Sequence, residues 1–236
     1  MTVDMWENKG NKHLDLSNKD AVLPYHELIA RLACKYLPKK GRMLDIGCGL
    51  GQIDAKIAET RPDVNIFIAD AYESCINNVK AKVRVKKSFL LNENNIDLSL
   101  VGTEYDTVVM SHVLEHLLNP AETVLAVLSI IRPNGCLILA VPNPVRPHVI
   151  ISNLFKKHYV NRGHVYSWDR SHWINFIENI LGLNVLEYAS DSVNIFPKVL
   201  KNISPMFLMK VEVALAKLIP WFSFSHVVVI RKNESL

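Results

Sequence analysis

The chain has 236 residues, enough for one ordinary domain with elaborations and short for two. Hydrophobic residues make up 49% and charged residues 21%, with a mean hydropathy of +0.12, which argues against both a disordered chain and a multispanning membrane protein. The formal charge of +4 is carried by dispersed lysines and gives no support to a nucleic-acid partner, and the four cysteines form no Cys-x-x-Cys pair, so neither a zinc knuckle nor a disulfide framework is expected.

In chain order, residues 1–21 are polar from the start and lack the apolar core of a signal peptide, so nothing there directs export and a cytoplasmic location is expected. Residues 22–236 are read as one domain. "YHELIARLACKYL" carries Leu28, Ile29, Leu32, Ala33, Tyr36 and Leu37 at helical spacing and stops at Pro38, and "RMLDIG" then reads as a buried strand. After a run of glycines, "IDAKIAET" reads as a helix, "VNIFIAD" as the second strand, "ESCINNVKAKV" as a helix and "KSFLLN" as the third strand. "YDTVVMS" is the fourth strand, "PAETVLAVLSIIR" a helix and "GCLILAVPN" the fifth strand. Strands and helices taking turns in this way predict a doubly wound α/β sheet, mostly parallel. Further on lie a helix, "WDRSHWINFIENIL", ended by Gly182, and strands "NVLEYA" and "HVVVIRK", which are expected to close the sheet as an antiparallel edge. Between those two strands the stretch from Lys198 to Ile219 is amphipathic; Lys210, Glu212, Lys217 and Pro220 break it as a membrane span.

The glycines carry the first functional signal. Gly47, Gly49 and Gly51 fall where the first strand passes into the first helix of the sheet, and glycine there permits positive φ and lets a ligand lie on the backbone. A dinucleotide fingerprint needs glycine at position 52, where this chain has Gln52. Asp45 precedes the first glycine by two; a carboxylate there repels pyrophosphate but attracts an ammonium group or holds the turn. Asp70 ends the second strand, about twenty residues past the glycines, where an acid commonly takes ribose hydroxyls.

"LDIGCGLG" resembles motif I of the class I S-adenosylmethionine-dependent methyltransferases, and "IFIAD", "YDTVVMSHVLEHLLNP", "IIRPNGCLILAVPN" and "GHVYSWDRSHWINFIENILGLNV" match later segments of that family in order. The resemblance spans roughly Leu23 to Lys232 and is nearest to the small-molecule branch that includes ubiquinone-biosynthesis-like O-methyltransferases. It implies a seven-stranded Rossmann-like sheet with an antiparallel last strand and S-adenosyl-L-methionine as cofactor. The implied cofactor residues are Asp45, Gly47, Cys48, Gly49, Gly51, Asp70, Ala71, Asn92, Ser111 and His112. At the third-strand exit Asn92 and Glu93 replace the family's frequent aspartate. Acceptor-side elements are expected at 144–182 and 198–222.

Methyl transfer is an in-line displacement in which the protein aligns the reactants, excludes water and removes any hydroxyl proton. Histidine suits the last task, and His112, His116 and His164 are the candidate bases. A second cluster after the fifth strand contains His164, Tyr166, Trp168, Asp169, His172 and Trp173 and suits a pocket wall, although Trp173, with Ile174, Ile177 and Leu181, is expected to form the buried face of a helix with His172 exposed. "HVLEH" is also the inverted zinc-peptidase pattern, so a zinc hydrolase through His112, Glu115 and His116 is the rival reading, beside a noncatalytic nucleotide-binding protein on the same fold. In the preferred reading no metal is bound, and Glu115 and His116 cap or orient the helix after strand four. The fourth-strand exit lacks the Asn/Asp-Pro-Pro-Tyr of amino-methylating DNA enzymes, no Pro-Cys pair suggests cytosine chemistry, and no RNA-binding module is appended, so the expected acceptor is a small molecule, a saccharide or a lipid-linked compound, methylated at oxygen. The stretch Val199 to Ile219, with Phe207, Leu208, Met209 and nearby Trp221 among lysines, offers peripheral contact with the inner face of a membrane, a cover for an apolar acceptor, or packing on the domain or in a dimer.

Overall fold

The computed structural model describes residues 21–92, 96–155, 163–196 and 204–233. Helix α1 (Pro24–Tyr36) starts on a proline, whose fixed φ suits the first helical position, and the Leu23 N–H before it donates to His26 Nδ1 at 3.0 Å. It ends where Leu37 turns extended ahead of Pro38. There follow β1 (Arg42–Ile46), α2 (Gln52–Thr60), β2 (Asn65–Asp70), α3 (Glu73–Lys82), β3 (Val85–Leu90), β4 (Tyr105–Ser111), α4 (Pro120–Ile130) and β5 (Ile131–Pro142). The chain continues through α5 (Pro147–Phe155), α6 (Arg170–Ile174), β6 (Val185–Ser190), α7 (Pro205–Leu218) and β7 (Ser225–Arg231).

The seven strands form one sheet in the order β3-β2-β1-β4-β5-β7-β6. β1 to β5 pair in parallel, while β7 inserts antiparallel between β5 and β6, so the expected closing pair is as read from the sequence. Alternation along each strand sorts the core into two layers. Leu44, Val108 and Leu137 point to the layer that contains Val127 of α4, Trp173 and Ile177. Met43, Val109 and Ile138 point to the layer that contains Ile29 of α1, Ile57 of α2 and Val79 of α3.

Several boundaries differ from the sequence reading. β3 and β5 begin two and four residues early, because Val85 pairs with Ile66 and Ile131 with Tyr105 across irregularities in the register with β2 and β4. The helix read as continuous from Trp168 to Leu181 is five residues of α-helix, capped by Asp169, whose carboxylate accepts the His172 N–H at 3.0 Å, followed by a π-turn over Asn175–Ile180. Helix α5 was not read from the sequence, although Pro147 marks its first turn. Residues 1–20, 93–95, 156–162, 197–203 and 234–236 lie outside the described residues, and with them parts of the polar N-terminal segment, the third-strand exit with Glu93 and both acceptor-side stretches. Among the described residues no helix is long and apolar enough to cross a membrane.

The β5 exit is joined to the β7 entry by Asn143, which is fully buried. Its Nδ2 donates to the carbonyls of Trp221 at 2.7 Å and Ser223 at 2.8 Å, and its Oδ1 accepts the Val145 N–H at 2.8 Å. Truncation to alanine strips partners from three backbone groups, so Asn143→Ala is expected to cost about 2 kcal/mol in urea unfolding. An unchanged midpoint would show that water replaces the side chain there.

Candidate active site

The carboxyl ends of β1, β2 and β4 lie side by side, which is where an open α/β sheet presents its ligand crevice. Between β1 and α2 the backbone enters the left-handed region three times, at Gly47 (φ +78°), Gly49 (φ +50°) and Gly51 (φ +77°). The Gly47 N–H donates to Ala69 O at 2.8 Å, and the Gly49 N–H donates to Asp70 Oδ2 at 2.9 Å, so the turn is tied to the end of β2. The two positions differ in their surroundings. A Cβ on Gly47 would lie 2.2 Å from Val113 Cγ2, whereas one on Gly49 meets nothing within 4 Å. Gly47 is therefore glycine for packing, and Gly49 leaves an open backbone surface of the kind a ligand approaches.

Asp70 is buried at the end of β2, and its Oδ1 accepts the Tyr72 N–H at 2.9 Å. Burial pushes its pKa up, and the N–H groups of Gly49, Tyr72 and Ala71 pull against that. A carboxylate has about four acceptor positions, and these three N–H groups with the Cys48 thiol reach that number, so the carboxylate is fixed in place at the crevice edge. Cys48 is buried with its Sγ 3.8 Å from Asp70 Oδ2, and Ala71 is half-buried just beyond. The Leu91 N–H donates to Asp70 O at 2.9 Å, which brings the exposed Asn92 to the same edge. Ser111 ends β4 with a buried Oγ that has no hydrogen-bond partner, a donor or acceptor left for a ligand.

Asp45 is fully buried in β1 and has an unpartnered Oδ1. Its neighbour is Asp54 of α2, also fully buried, with both oxygens lacking ordinary partners. Burial and mutual repulsion push the pKa of Asp45 well up, and burial pushes that of Asp54 up to about 7, so the two acids hold a proton between them beneath the glycine turn. Sequence reading missed Asp54; the signal available was an acid on the α2 face shared with Ile53 and Ile57.

Beyond β4 the chain does not continue as a helix. His112 is itself left-handed (φ +57°), Leu114–His116 is a single 3-10 turn, and α4 begins only at Pro120. The two histidines of "HVLEH" therefore do not share a helical face, and Glu115 and His116 do not cap the helix after strand four, which corrects both expectations. Glu115 is the centre of the group instead. Its side chain is 1% exposed, neither carboxylate oxygen has a hydrogen-bond partner, and Oε1 lies 3.7 Å from His112 Nδ1, 4.0 Å from His116 Nε2 and 4.0 Å from His164 Nε2. Burial pushes its pKa up to about 8 and pushes that of His112 down to about 3.

His164 reaches this cluster because the Glu115 carbonyl accepts the N–H groups of Val165 at 2.7 Å and Tyr166 at 3.1 Å, while His116 Nδ1 bonds Gly163 O at 3.0 Å. All three histidines singled out from the sequence thus meet at one carboxylate. Ligand atoms of Glu115, His116 and His164 lie within 4.8 Å of one another, close enough to share a proton or an ion, and His112 is outside that set. The zinc reading through His112, Glu115 and His116 accordingly does not find its three groups assembled. From the second cluster, Trp168 and Trp173 are core residues, as expected for Trp173, and His172 is exposed against Asp169. Tyr166 is exposed and donates its hydroxyl to Leu118 O at 3.1 Å.

Comparison with known proteins gives the family and the fold. Residues 18–188 match the family model described as a methyltransferase domain. A ubiquinone biosynthesis O-methyltransferase of Rickettsia canadensis is 30% identical over 115 residues, covering 48% of this chain and 47% of the relative, so the chain matches about half of that protein's length. The methyltransferase in complex with the Trm112 methyltransferase activator of Haloferax volcanii superposes with a TM-score of 0.64 at 18% identity, over 98% of this chain and 97% of that one. The plantazolicin methyltransferase BpumL, solved with S-adenosylhomocysteine, superposes with a TM-score of 0.59 at 15% identity, over 98% and 91%.

Proposed function

The chain belongs to the methyltransferase domain family, with S-adenosyl-L-methionine as the cofactor of its fold, and from that premise we propose that it transfers a methyl group to oxygen of a small-molecule, saccharide or lipid-linked acceptor. The observation that carries the reading is the crevice at the ends of β1, β2 and β4, where the open, left-handed Gly49 and the buried Asp70 carboxylate stand on one side and His112 on the other.

When bound, the cofactor supplies a methyl carbon already activated by the sulfonium charge. The turn at Gly49 would receive its backbone-facing side, Asp70 at the end of β2 would meet its ribose hydroxyls, and the buried Asp45–Asp54 pair beneath the turn would balance its positive charge. Ser111 and His112, at the end of β4, would lie towards the transferred group. As the acceptor oxygen attacks, its proton passes to a histidine of the Glu115 cluster, and the carbon–sulfur electron pair stays on sulfur.

The apolar side chains left exposed on α5 (Ile151, Leu154, Phe155) and on α7 and the turn after it (Met206, Phe207, Leu218, Trp221) support an apolar or lipid-linked acceptor and peripheral contact with the inner face of a membrane. Flotation with anionic vesicles is expected to carry the protein; protein left in the dense fraction would remove the membrane part of the proposal.

Calorimetric titration with S-adenosylmethionine and S-adenosylhomocysteine is expected to show saturable binding that survives chelation. Asp70→Ala should weaken it at least tenfold, equivalent to about 1.4 kcal/mol. A folded sample that binds neither compound would overturn the reading.

A further inference from the structure

Glu115 and two of its histidines are too far apart for hydrogen bonds and close enough to share an ion. The Glu115 side chain is 1% exposed, both of its oxygens lack a hydrogen-bond partner, and Oε1 lies 4.0 Å from His116 Nε2 and 4.0 Å from His164 Nε2. An ionised carboxylate at that depth is costly unless a cation balances it. Among the described residues this is the one set of three His, Cys, Asp or Glu side chains whose ligand atoms all fall within 4.8 Å of one another.

The backbone holds the three side chains together. Glu115 and His116 sit on the 3-10 turn after β4, and the N–H groups of Val165 and Tyr166 donate to the Glu115 carbonyl at 2.7 Å and 3.1 Å, which fixes His164 beside that turn. His116 Nδ1 lies 3.0 Å from Gly163 O. A carbonyl only accepts, so Nδ1 carries the hydrogen, and in the neutral ring the lone pair is on Nε2, the nitrogen that faces Glu115. An outer hydrogen bond of this kind is how a metal-ligating histidine is oriented. The rings of His116 and His164 stand edge to face, with centroids 4.8 Å apart and planes at 85°. Nitrogen and oxygen ligands about 2.1 Å from a tetrahedral ion are about 3.4 Å apart, so movement of the two imidazoles by roughly half an ångström would seat one. Glu115 forms the floor, while His116 keeps 38% and His164 18% of the side chain accessible, so further ligands would come from the accessible side. His112 stands outside the set: its Nδ1 is 3.7 Å from Oε1, and its Nε2 is turned to Ser225 Oγ at 2.9 Å.

We propose that Glu115, His116 and His164 form a binding site for a divalent transition-metal ion of the zinc class. Two imidazole nitrogens and one carboxylate oxygen are the donor set that binds such an ion with positions left open, whereas magnesium favours oxygen ligands. The purpose of the site rests on the methyl-transfer reading: an acceptor hydroxyl that ligates the ion is fixed in position and made more acidic, whichever group receives its proton. The set is not that of "HVLEH", because His164 takes the place of His112, and it comes together only through the pairing of Val165 and Tyr166 with Glu115.

The test needs no acceptor. The untagged full chain, stripped with a chelator and dialysed, is titrated near neutral pH with zinc(II) by calorimetry and with cobalt(II) by visible absorption. One zinc per chain is expected, and cobalt bands that zinc abolishes and magnesium does not. Glu115→Gln, His116→Gln and His164→Gln should each weaken zinc binding at least about 100-fold, since even an outer partner of a ligand is worth about 10- to 100-fold. His112→Gln should retain it, as should His172→Gln, which alters the exposed pair with Asp169. A folded wild type that takes up no zinc overturns the proposal whether or not any variant folds. Loss in His112→Gln with retention in His164→Gln overturns it too, by placing the ion on the "HVLEH" groups, and loss confined to His172→Gln does so by marking a surface site. Titration with S-adenosylhomocysteine, with and without zinc, separates this result from the larger one. S-adenosylhomocysteine binding by a chain that takes up no zinc refutes the ion site alone, and zinc on these three residues without S-adenosylhomocysteine binding refutes the methyl-transfer reading alone.

Discussion

Gly47→Ala is expected to cost the fold about 2–5 kcal/mol, whereas Gly49→Ala should cost only about 1–2 kcal/mol and lose cofactor affinity. Both residues are left-handed, so each substitution carries a backbone penalty of about 1–2 kcal/mol. At Gly47 a steric term is added, because the new Cβ would lie 2.2 Å from Val113 Cγ2, and overpacking of this kind costs about 1–3 kcal/mol more. At Gly49 no atom lies within 4 Å of the new methyl, so only the backbone penalty remains. A ligand lying on that backbone would. Thermal unfolding and calorimetric titration of the two variants separate the effects, and Val113→Ala placed in the Gly47→Ala background should recover the steric part. Equal stability in both variants would mean that the chain relaxes around Val113. Undiminished binding in Gly49→Ala would show that the cofactor does not approach this turn.

The same pair shows how far the sequence could be read. "LDIGCGLG" marks a strand, a turn and a helix start, because alternation, glycine spacing and the following helical period are all local, and the structure has each of them in place. The sheet order was legible for the same reason: strand and helix alternate, and connections of that kind leave few topologies. The sequence could not separate one glycine from another, since the distinction lies in Val113, distant in the chain and brought alongside by β4. His112, His116 and His164 were named as a set of alternatives, and the structure gathers them around Glu115, which had been given a capping role. That role assumed a helix directly after β4. The left-handed turn at His112 removes it and directs the glutamate inward. Asp54 was missed because burial of an acid is a tertiary fact without local periodicity.

Replacement of Glu115 should reshape the dependence of stability on pH. In the unfolded chain its pKa is near 4.5, and in the fold burial pushes it up to about 8. Between those values the native state binds the extra proton, so stability falls as pH rises through the window and is fully present below it. The shift corresponds to a loss on the order of 4 kcal/mol between pH 4.5 and pH 8. His112 does not offset it, because burial holds that ring neutral down to about pH 3, so no cation faces the carboxylate from the β4 exit in this range. Asp45, Asp54, Asp70 and Asp191 also carry raised values, Asp54 about 7 and Asp191 about 6, and slope in the same direction, so wild-type stability alone does not isolate Glu115. The difference between wild type and Glu115→Gln does. The amide keeps the shape and does not ionise, so the variant is expected to retain the slope from the aspartates and lose the part that Glu115 contributes. Urea unfolding at pH 6 and at pH 9 measures it: the wild type should lose more stability than the variant over that interval. Parallel losses in the two proteins would mean that Glu115 is already ionised at pH 6, with its charge balanced by His116 or His164, and the cluster would then store a proton on imidazole instead of on the carboxyl. That outcome would leave the net charge of the cluster unchanged and place an ionised carboxylate beside the neutral His112 ring.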